Sequence, residues 1–350
     1  MNVLILGGGI AGLLGAYAFR RHKPTIIEAS GKLGGNFTAG GLKYIHDTPD
    51  VRKLLKELDV SFEPYKPQGS ILIDGHPCSH PETLAQMPAL QRYQIQLKHW
   101  RKTRASSLGF REDCMNDPLG NHRALRCKHN QLLAKLEAAV RDAGCDVRLG
   151  SLVAGIGSVD PEFAPPGTRA VHLREGIGSC SIAYDLLLPT LPLGLLGKLA
   201  PWANLPTAEA TKLAIFDIEL PIHCRPSWDY MYTPEVKWIS RIAQPEPHTL
   251  MVEVPWYLPQ SDAVMGNQDP KGLKVLDTAP EVLFILKAEL GLEGVCTGAR
   301  LIPGHLRPLE GPLEWPINWY PLGRFAQWDS RATADKVYAR ALSIASGLPA

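Results

Sequence analysis

The sequence lacks most of the features that announce a function. Its seven cysteines (Cys78, Cys114, Cys127, Cys145, Cys180, Cys224 and Cys296) are scattered, odd in number and form no C-x-x-C pair. That argues against a zinc site and for reduced thiols in a cytoplasmic protein. Neither sign of charge dominates: 37 Lys and Arg stand against 35 Asp and Glu, so bulk charge selects no partner. The apolar stretch from Leu186 to Leu199 is too short and too broken by proline to span a bilayer, so no membrane partner is expected. The first residues are apolar but carry no basic flank, which speaks against a signal peptide. No internal repeat, low-complexity tract, catalytic triad or metal-ligand set stands out. What remains is a 350-residue chain, 45% hydrophobic, able to bury a large core in two domains or one elaborated domain.

The chain is organised around its first forty residues. Val3 to Leu6 is an apolar run without alternation, which suits a parallel strand buried on both faces. Gly7, Gly9 and Gly12 follow as G-x-G-x-x-G. Gly7 allows a tight turn, Gly9 leaves room for a pyrophosphate, and Gly12 lets a helix lie close to the sheet. A helix beginning near Ile10 and Ala11 aims its unpaired N–H groups at that phosphate. A second run, Thr25 to Ile27, ends at Glu28, placed to accept hydrogen bonds from a ribose diol. The spacing predicts a dinucleotide site.

After Glu28 the chain reads A-S-G-K-L and then Gly34-Gly35. E-x5-G-G resembles the extended FAD fingerprint of glutathione-reductase-like and amine-oxidase-like flavoproteins. The resemblance implies FAD, with Ala29, Lys32, Gly34, Gly35 and Asn36 beside its diphosphate. No second G-x-G-x-x-G follows a strand, so a separate NADPH domain is not expected. GLKYIHDT resembles the segment of UDP-galactopyranose mutases that brings a histidine to the flavin ring. The match implies Tyr44 and Ile45 at the cofactor and Lys43 and His46 as candidate catalytic residues. Residues 130–156 resemble the element that returns the chain to a FAD-binding domain, with Val153 meeting the adenine through its backbone. YDLLLPTLPLGLL resembles the crossover of amine oxidases and protoporphyrinogen oxidases, which puts Thr190 near the flavin. The last segment, around Gly323, Arg324 and Thr333, is similar to the closing segment of the same superfamily. There Arg324 would bond the diphosphate or the flavin, and a helix from Asp335 to Ala345 would point its N-terminus at the ring.

Other stretches are read from pattern. Thr48-Pro49 caps a helix over 50–58, and Asp74-Gly75 turns a hairpin within 70–81. Residues 90–128 carry nine basic residues against three acidic ones. They form either a solvated helical surface or a groove for an anionic substrate, with Arg101, Lys102 and Arg104 as its candidate contacts. Residues 212–300 are strand-rich and aromatic, with Trp256 and Tyr257 as candidate cavity residues. The expected fold is α/β: a FAD-binding Rossmann-like domain of the glutathione-reductase type (1–60, 129–211, 301–350) and a mixed-sheet substrate domain (61–128, 212–300). The expected activity is oxidation of a C–N bond in an amine or amino-acid-like substrate. The alternative is non-redox flavin chemistry on a nucleotide sugar. A general likeness to compact phage flavoenzymes that cleave an amino-acid adduct on thymine adds modified DNA as a candidate partner.

Overall fold

The computed structural model describes residues 1–35, 37, 44–103, 123–158, 168–176, 178–206, 208, 210–256, 273–306, 309, 312–327, 329 and 332–348. Strands Leu186–Pro189, Val3–Leu6, Thr25–Ile27 and Asp146–Arg148 lie side by side in that order, all parallel. Val3 to Leu6 is buried at every position, because both sheet faces are covered. One face carries the helix Ile10–Ala18, packed between His129–Asp142 and the last helix, Ala334–Ser346. Leu13, Leu14 and Tyr17 meet Leu136, Val140, Val337 and Ala341 there. The other face carries Leu173, Tyr184 and Trp319, beneath an antiparallel sheet of Ser151–Ser158, Arg169–Glu175 and Gly178–Ala183. Leu186–Pro189 is a separate strand that enters the parallel sheet.

A seven-stranded sheet forms the second layer, in the order Val295–Leu306, Ala210–Glu219, Thr249–Pro255, Arg241–Glu246, Tyr230–Tyr232, Gly69–Ile73 and His76–His80. Every neighbour pair is antiparallel except Tyr230–Tyr232 with Gly69–Ile73. Side chains alternate between its faces. Phe216, Met231, Ile242 and Val252 pack on one face against Val282 and Leu286 of the helix Ala279–Leu290. The opposite face carries Leu213, Ile215, Ala243 and Met251. Leu301 to Leu306 completes the edge strand of this sheet. A small sheet of Tyr44–His46, Ala124–Cys127 and Phe62–Tyr65 bridges the two layers. Arg126 ties it to the large sheet, 3.3 Å from Asp229 and stacked 3.8 Å over the Tyr65 ring.

Local signals explain most boundaries. Thr48 accepts a hydrogen bond from Val51 N, and Pro49 opens the helix Pro49–Glu57. Asp74 and Gly75 both take positive φ in the hairpin turn. Gly144, at φ +77°, ends His129–Asp142.

Candidate functional site

The glycine turn forms a cradle built almost wholly of backbone. Gly7 takes φ +103°, and a Cβ there would strike the Thr190 hydroxyl. A Cβ on Gly12 would lie 2.0 Å from Gly7 O, so only glycine lets the helix start this close to the strand. A Cβ on Gly9 would meet nothing within 4 Å. The space above Gly9 is open, and the first N–H groups of the helix, at Ile10 and Ala11, border it. That cradle fits a dinucleotide diphosphate. The second glycine pair folds onto the first: Gly34 N donates to Gly8 O at 2.8 Å, and Gly35 lies against the Gly9 Cα. These glycines therefore shape the cradle as well as leaving it open.

Glu28 stands at the end of its strand. Its Oε2 accepts from Gly8 N at 2.7 Å and its Oε1 from Ser30 N at 2.8 Å. Each oxygen keeps a further lone pair for a ribose hydroxyl. The carboxylate thus braces the glycine turn. Ala29 and Lys32 are exposed on the same rim. Val153 lies two residues beyond Ser151, whose N–H bonds Glu28 O, and its own strand position is paired with Leu173 beside a bulge. Thr190 differs from expectation. Its hydroxyl donates to Leu6 O and Gly7 O at 2.7 and 3.1 Å, so it braces the turn from behind.

The closing segment comes home to the same place. Trp319 to Leu322 runs beside Leu187 and Pro189. Gly323, at φ +93°, presses on Ala11 so closely that a Cβ would lie 2.9 Å from the Ala11 methyl. Arg324 follows at once, half-buried. Burial pulls its pKa down, neighbouring Arg241 pulls it further, and Glu253 opposes both. Arg324 is thus turned toward the seven-stranded sheet.

Tyr44 and His46 share one side of their short strand, and Ile45 points the other way into the core. Ile45 packs in the core. His46 is buried, with Nδ1 3.3 Å from Asp335 Oδ1 in the first turn of the last helix. Thr333 occupies the N-cap position beside it. Burial pushes the Asp335 carboxyl up, but His46 and Thr333 outweigh it and the pKa falls below the ordinary value. Asp335, absent from the candidates read in the sequence, thus couples His46 to the helix N-terminus. Lys43 and Asn36 lie outside the described residues.

The floor opposite is the open face of the large sheet. The register lines up Arg300, Ile215, Glu253, Arg241 and Tyr232 in one row across five strands. Arg241 binds Glu253 in a fork, Nη2 to Oε1 at 2.5 Å and Nε to Oε2 at 3.1 Å. Burial opposes the charge on Arg241, but Glu253, with smaller contributions from Tyr232 and Tyr44, holds its pKa above the ordinary value. Arg241, Glu253, Tyr232, Tyr44 and Arg324 therefore form one charged and phenolic cluster where the two layers face each other. Only Arg324 and Tyr44 of this set were legible as site residues.

The expected substrate contacts fare differently. Trp256 packs into the core on the helix-covered face, away from this floor. Lys102 donates to Val236 O at 2.6 Å and Ile239 O at 2.9 Å, and also to Thr233 O. Burial pulls its pKa down to about 7, against the nearby Glu235. It is a structural clamp on the 233–239 loop. Arg101 is exposed on the helix Ala89–Thr103. Arg104 and Tyr257 lie outside the described residues. Lys98 pairs with Glu235 at 2.7 Å, and Arg126 with Asp229. Acids more than a hundred residues away thus offset a surplus that counting along the chain makes look unbalanced.

No family model matches the chain. Solved structures match along its whole length. An oxidoreductase from Methanosarcina mazei superposes with a TM-score of 0.62 at 14% identity, covering 99% of this chain and 100% of that one. A putrescine oxidase variant with redesigned cofactor binding gives 0.61 at 13%, covering 99% and 98%. Reduced UDP-galactopyranose mutase gives 0.62 at 11%, covering 99% and 93%. These likenesses, all well under 25% identity, show a shared fold. One curated protein, cinnamate reductase of Clostridium sporogenes, is 50% identical over 57 residues, which is 16% of this chain and 8% of that enzyme. Among the described residues no helix is long and apolar enough to cross a membrane.

Proposed function

We propose that the protein is an FAD-dependent oxidoreductase that oxidises a C–N bond of an amine or amino-acid-like substrate. The observation that carries this reading is the floor facing the cradle: apolar Ile215, Ala243 and Met251 around a held ion pair. Bound FAD would supply the electron-accepting chemistry. The chain's own residues would hold it, with the Gly9 turn and helix N-terminus at the diphosphate and Glu28 at the ribose. The floor would exclude water and orient the substrate. His46 and Asp335 would position the helix N-terminus beside the ring, and His46 could hold or pass a proton at Nε2. The likeness of fold to a putrescine oxidase supports the amine class.

A second reading, non-redox chemistry on a nucleotide sugar, is favoured by one observation. Arg241 sits close enough to Arg324 to act on its charge, and a diphosphate site would call for two such cations. The likeness to the mutase supports it. The test is to purify the protein with its flavin and mix it rapidly with amino acids, simple amines, UDP-sugars and DNA carrying aminoacylated thymine. Anaerobic bleaching of the flavin by an amine or amino acid is the expected result. Turnover of a UDP-sugar only after prior chemical reduction would replace this reading with the second.

A further inference from the structure

We propose that Arg241 anchors a carboxylate of the substrate, so that the enzyme acts on an amino acid or amino-acid adduct rather than on a plain amine or a nucleotide sugar. The inference rests on the C–N reading and narrows it.

A guanidinium has two donor edges. Glu253 takes the Nε–Nη2 edge of Arg241. The Nη1 side projects away from that bond. The Arg241 side chain is 27% exposed and that of Glu253 only 8%. The two side chains lie side by side on the face of the sheet turned away from the helix Ala279–Leu290, and that of Arg241 keeps the greater exposure. An arginine serving only to neutralise Glu253 could be covered as fully as its partner. This one is locked in orientation by a planar fork, with a donor edge presented over an apolar floor. That is the arrangement for binding a second anion without losing side-chain freedom at the moment of binding.

The surroundings narrow the ligand. Two cations, Arg241 and Arg324, face one carboxylate, Glu253, in this cluster. A cationic diamine would be repelled from such a floor. A carboxylate on the substrate matches the planar edge with two parallel hydrogen bonds. Tyr44 and Tyr232 are both close enough to act on the Arg241 charge. A carboxylate fixed at Arg241 would direct the adjoining amine-bearing carbon toward the Gly323–Arg324 side, where the cofactor cradle lies.

The test is binding, not turnover. The flavin-loaded protein is titrated with propionate, benzoate, putrescine and UDP, and the shift in melting temperature and the perturbation of the flavin spectrum are recorded. Propionate and benzoate should bind saturably, and putrescine should not. Arg241→Lys should weaken the carboxylates by about 10- to 100-fold, the range for a hydrogen bond to a charged group. Because a lone Glu253 would be left buried, a second variant, Arg241→Met with Glu253→Leu, removes the pair together. It should melt cooperatively, keep FAD and bind no carboxylate. Carboxylate binding unchanged in both variants, no carboxylate binding to the wild type, or tight binding of UDP alone would each overturn the proposal. Carboxylates that bind through Arg241 while no amine bleaches the flavin would sink the C–N reading and leave the anchor standing. Bleaching by amines that ignores Arg241 would do the reverse.

Discussion

Around Gly9 the molecule presents backbone, and around Arg241 it presents side chains. The cradle consists of N–H groups, a glycine pair folded on a glycine turn, and one carboxylate bound to two main-chain donors. All of it lies within the first 35 residues. The floor is assembled from Tyr232, Arg241, Glu253 and Ile215 on four strands, and it is completed by Tyr44 and Arg324 from the other layer. A backbone site needs particular residues at particular spacings, because only glycine permits the approach. A side-chain site needs only that the register bring ordinary residues together. The first kind of site suits a constant cofactor, and the second suits a substrate that differs among proteins of one fold.

The largest effects should separate two glycines in the cradle. Gly9 has ordinary φ and an open Cβ position, so Gly9→Val should fold and melt like the wild type yet carry no FAD. Gly12→Val would drive a side chain into Gly7 O, with nothing flexible to yield. That variant should lose roughly 3 kcal/mol or more of stability, or fail to express in soluble form. Calorimetry and flavin content measured on both decide the point. A Gly9 variant with full FAD would remove the diphosphate from this turn.

Glu28→Ala comes next. It deletes the group proposed for the ribose and frees Gly8 N and Ser30 N to water. FAD affinity should fall by about 1.5–3 kcal/mol, the range for hydrogen bonds to a charged group. Titration of the apoprotein with FAD measures it, and an unchanged dissociation constant would remove Glu28 from the site.

Reading the chain alone recovers the cradle because each of its parts is a local signal. The G-x-G-x-x-G turn follows an apolar run, the acid follows the next run, and E-x5-G-G follows the acid. It recovers the Thr48 cap and the Asp74-Gly75 hairpin for the same reason. It misses Arg241 and Glu253 because nothing local marks an arginine in one strand as the partner of a glutamate in the next. Trp256 shows the limit most plainly. Alternation along Thr249–Pro255 says which residues share a face, but not which face the helix Ala279–Leu290 will cover. Lys102 and Lys98 show it again, since the groups that engage them lie more than 130 residues away. Asp335 was in view as the start of a helix, yet its contact with His46 spans nearly the whole chain.

The His46–Asp335 contact joins the two kinds of region, and its effects should be moderate. His46→Ala should retain FAD and slow substrate-dependent flavin reduction in stopped flow. Reduction at the wild-type rate would leave His46 as packing. Asp335 adds a pH test. Its folded pKa lies below the ordinary carboxylate value, so its stabilisation is complete above the unfolded pKa of about 3.9. It is lost as pH falls below that value through the folded pKa. The wild type should therefore melt higher than Asp335→Asn near neutral pH, and the gap should narrow as the pH is lowered from about 5 to 3. A gap that stays constant with pH would show that the carboxylate charge contributes nothing there.

The smallest effect concerns the helix Ala89–Thr103, which tests whether the floor or the outer surface selects an anion. A simultaneous change at Arg101 and Lys102 would confound the matter, because Lys102 clamps the 233–239 loop. Arg101 is exposed and can be changed alone. If a nucleic acid lies along this helix, affinity measured against salt on logarithmic axes should have a slope several-fold steeper than for a small monoanion. Arg101→Ala should then flatten that slope by about one contact, with FAD content unchanged. If the anion is a carboxylate held at Arg241, the slope should be shallow and Arg101→Ala should leave it as it was. Lys98 is already matched by Glu235 and Lys102 is held by the 233–239 loop, which leaves Arg92 and Arg101 as the helix's other cations for a polyanion. The second outcome is the one expected, and a steep slope that flattens in Arg101→Ala would return this surface to the site.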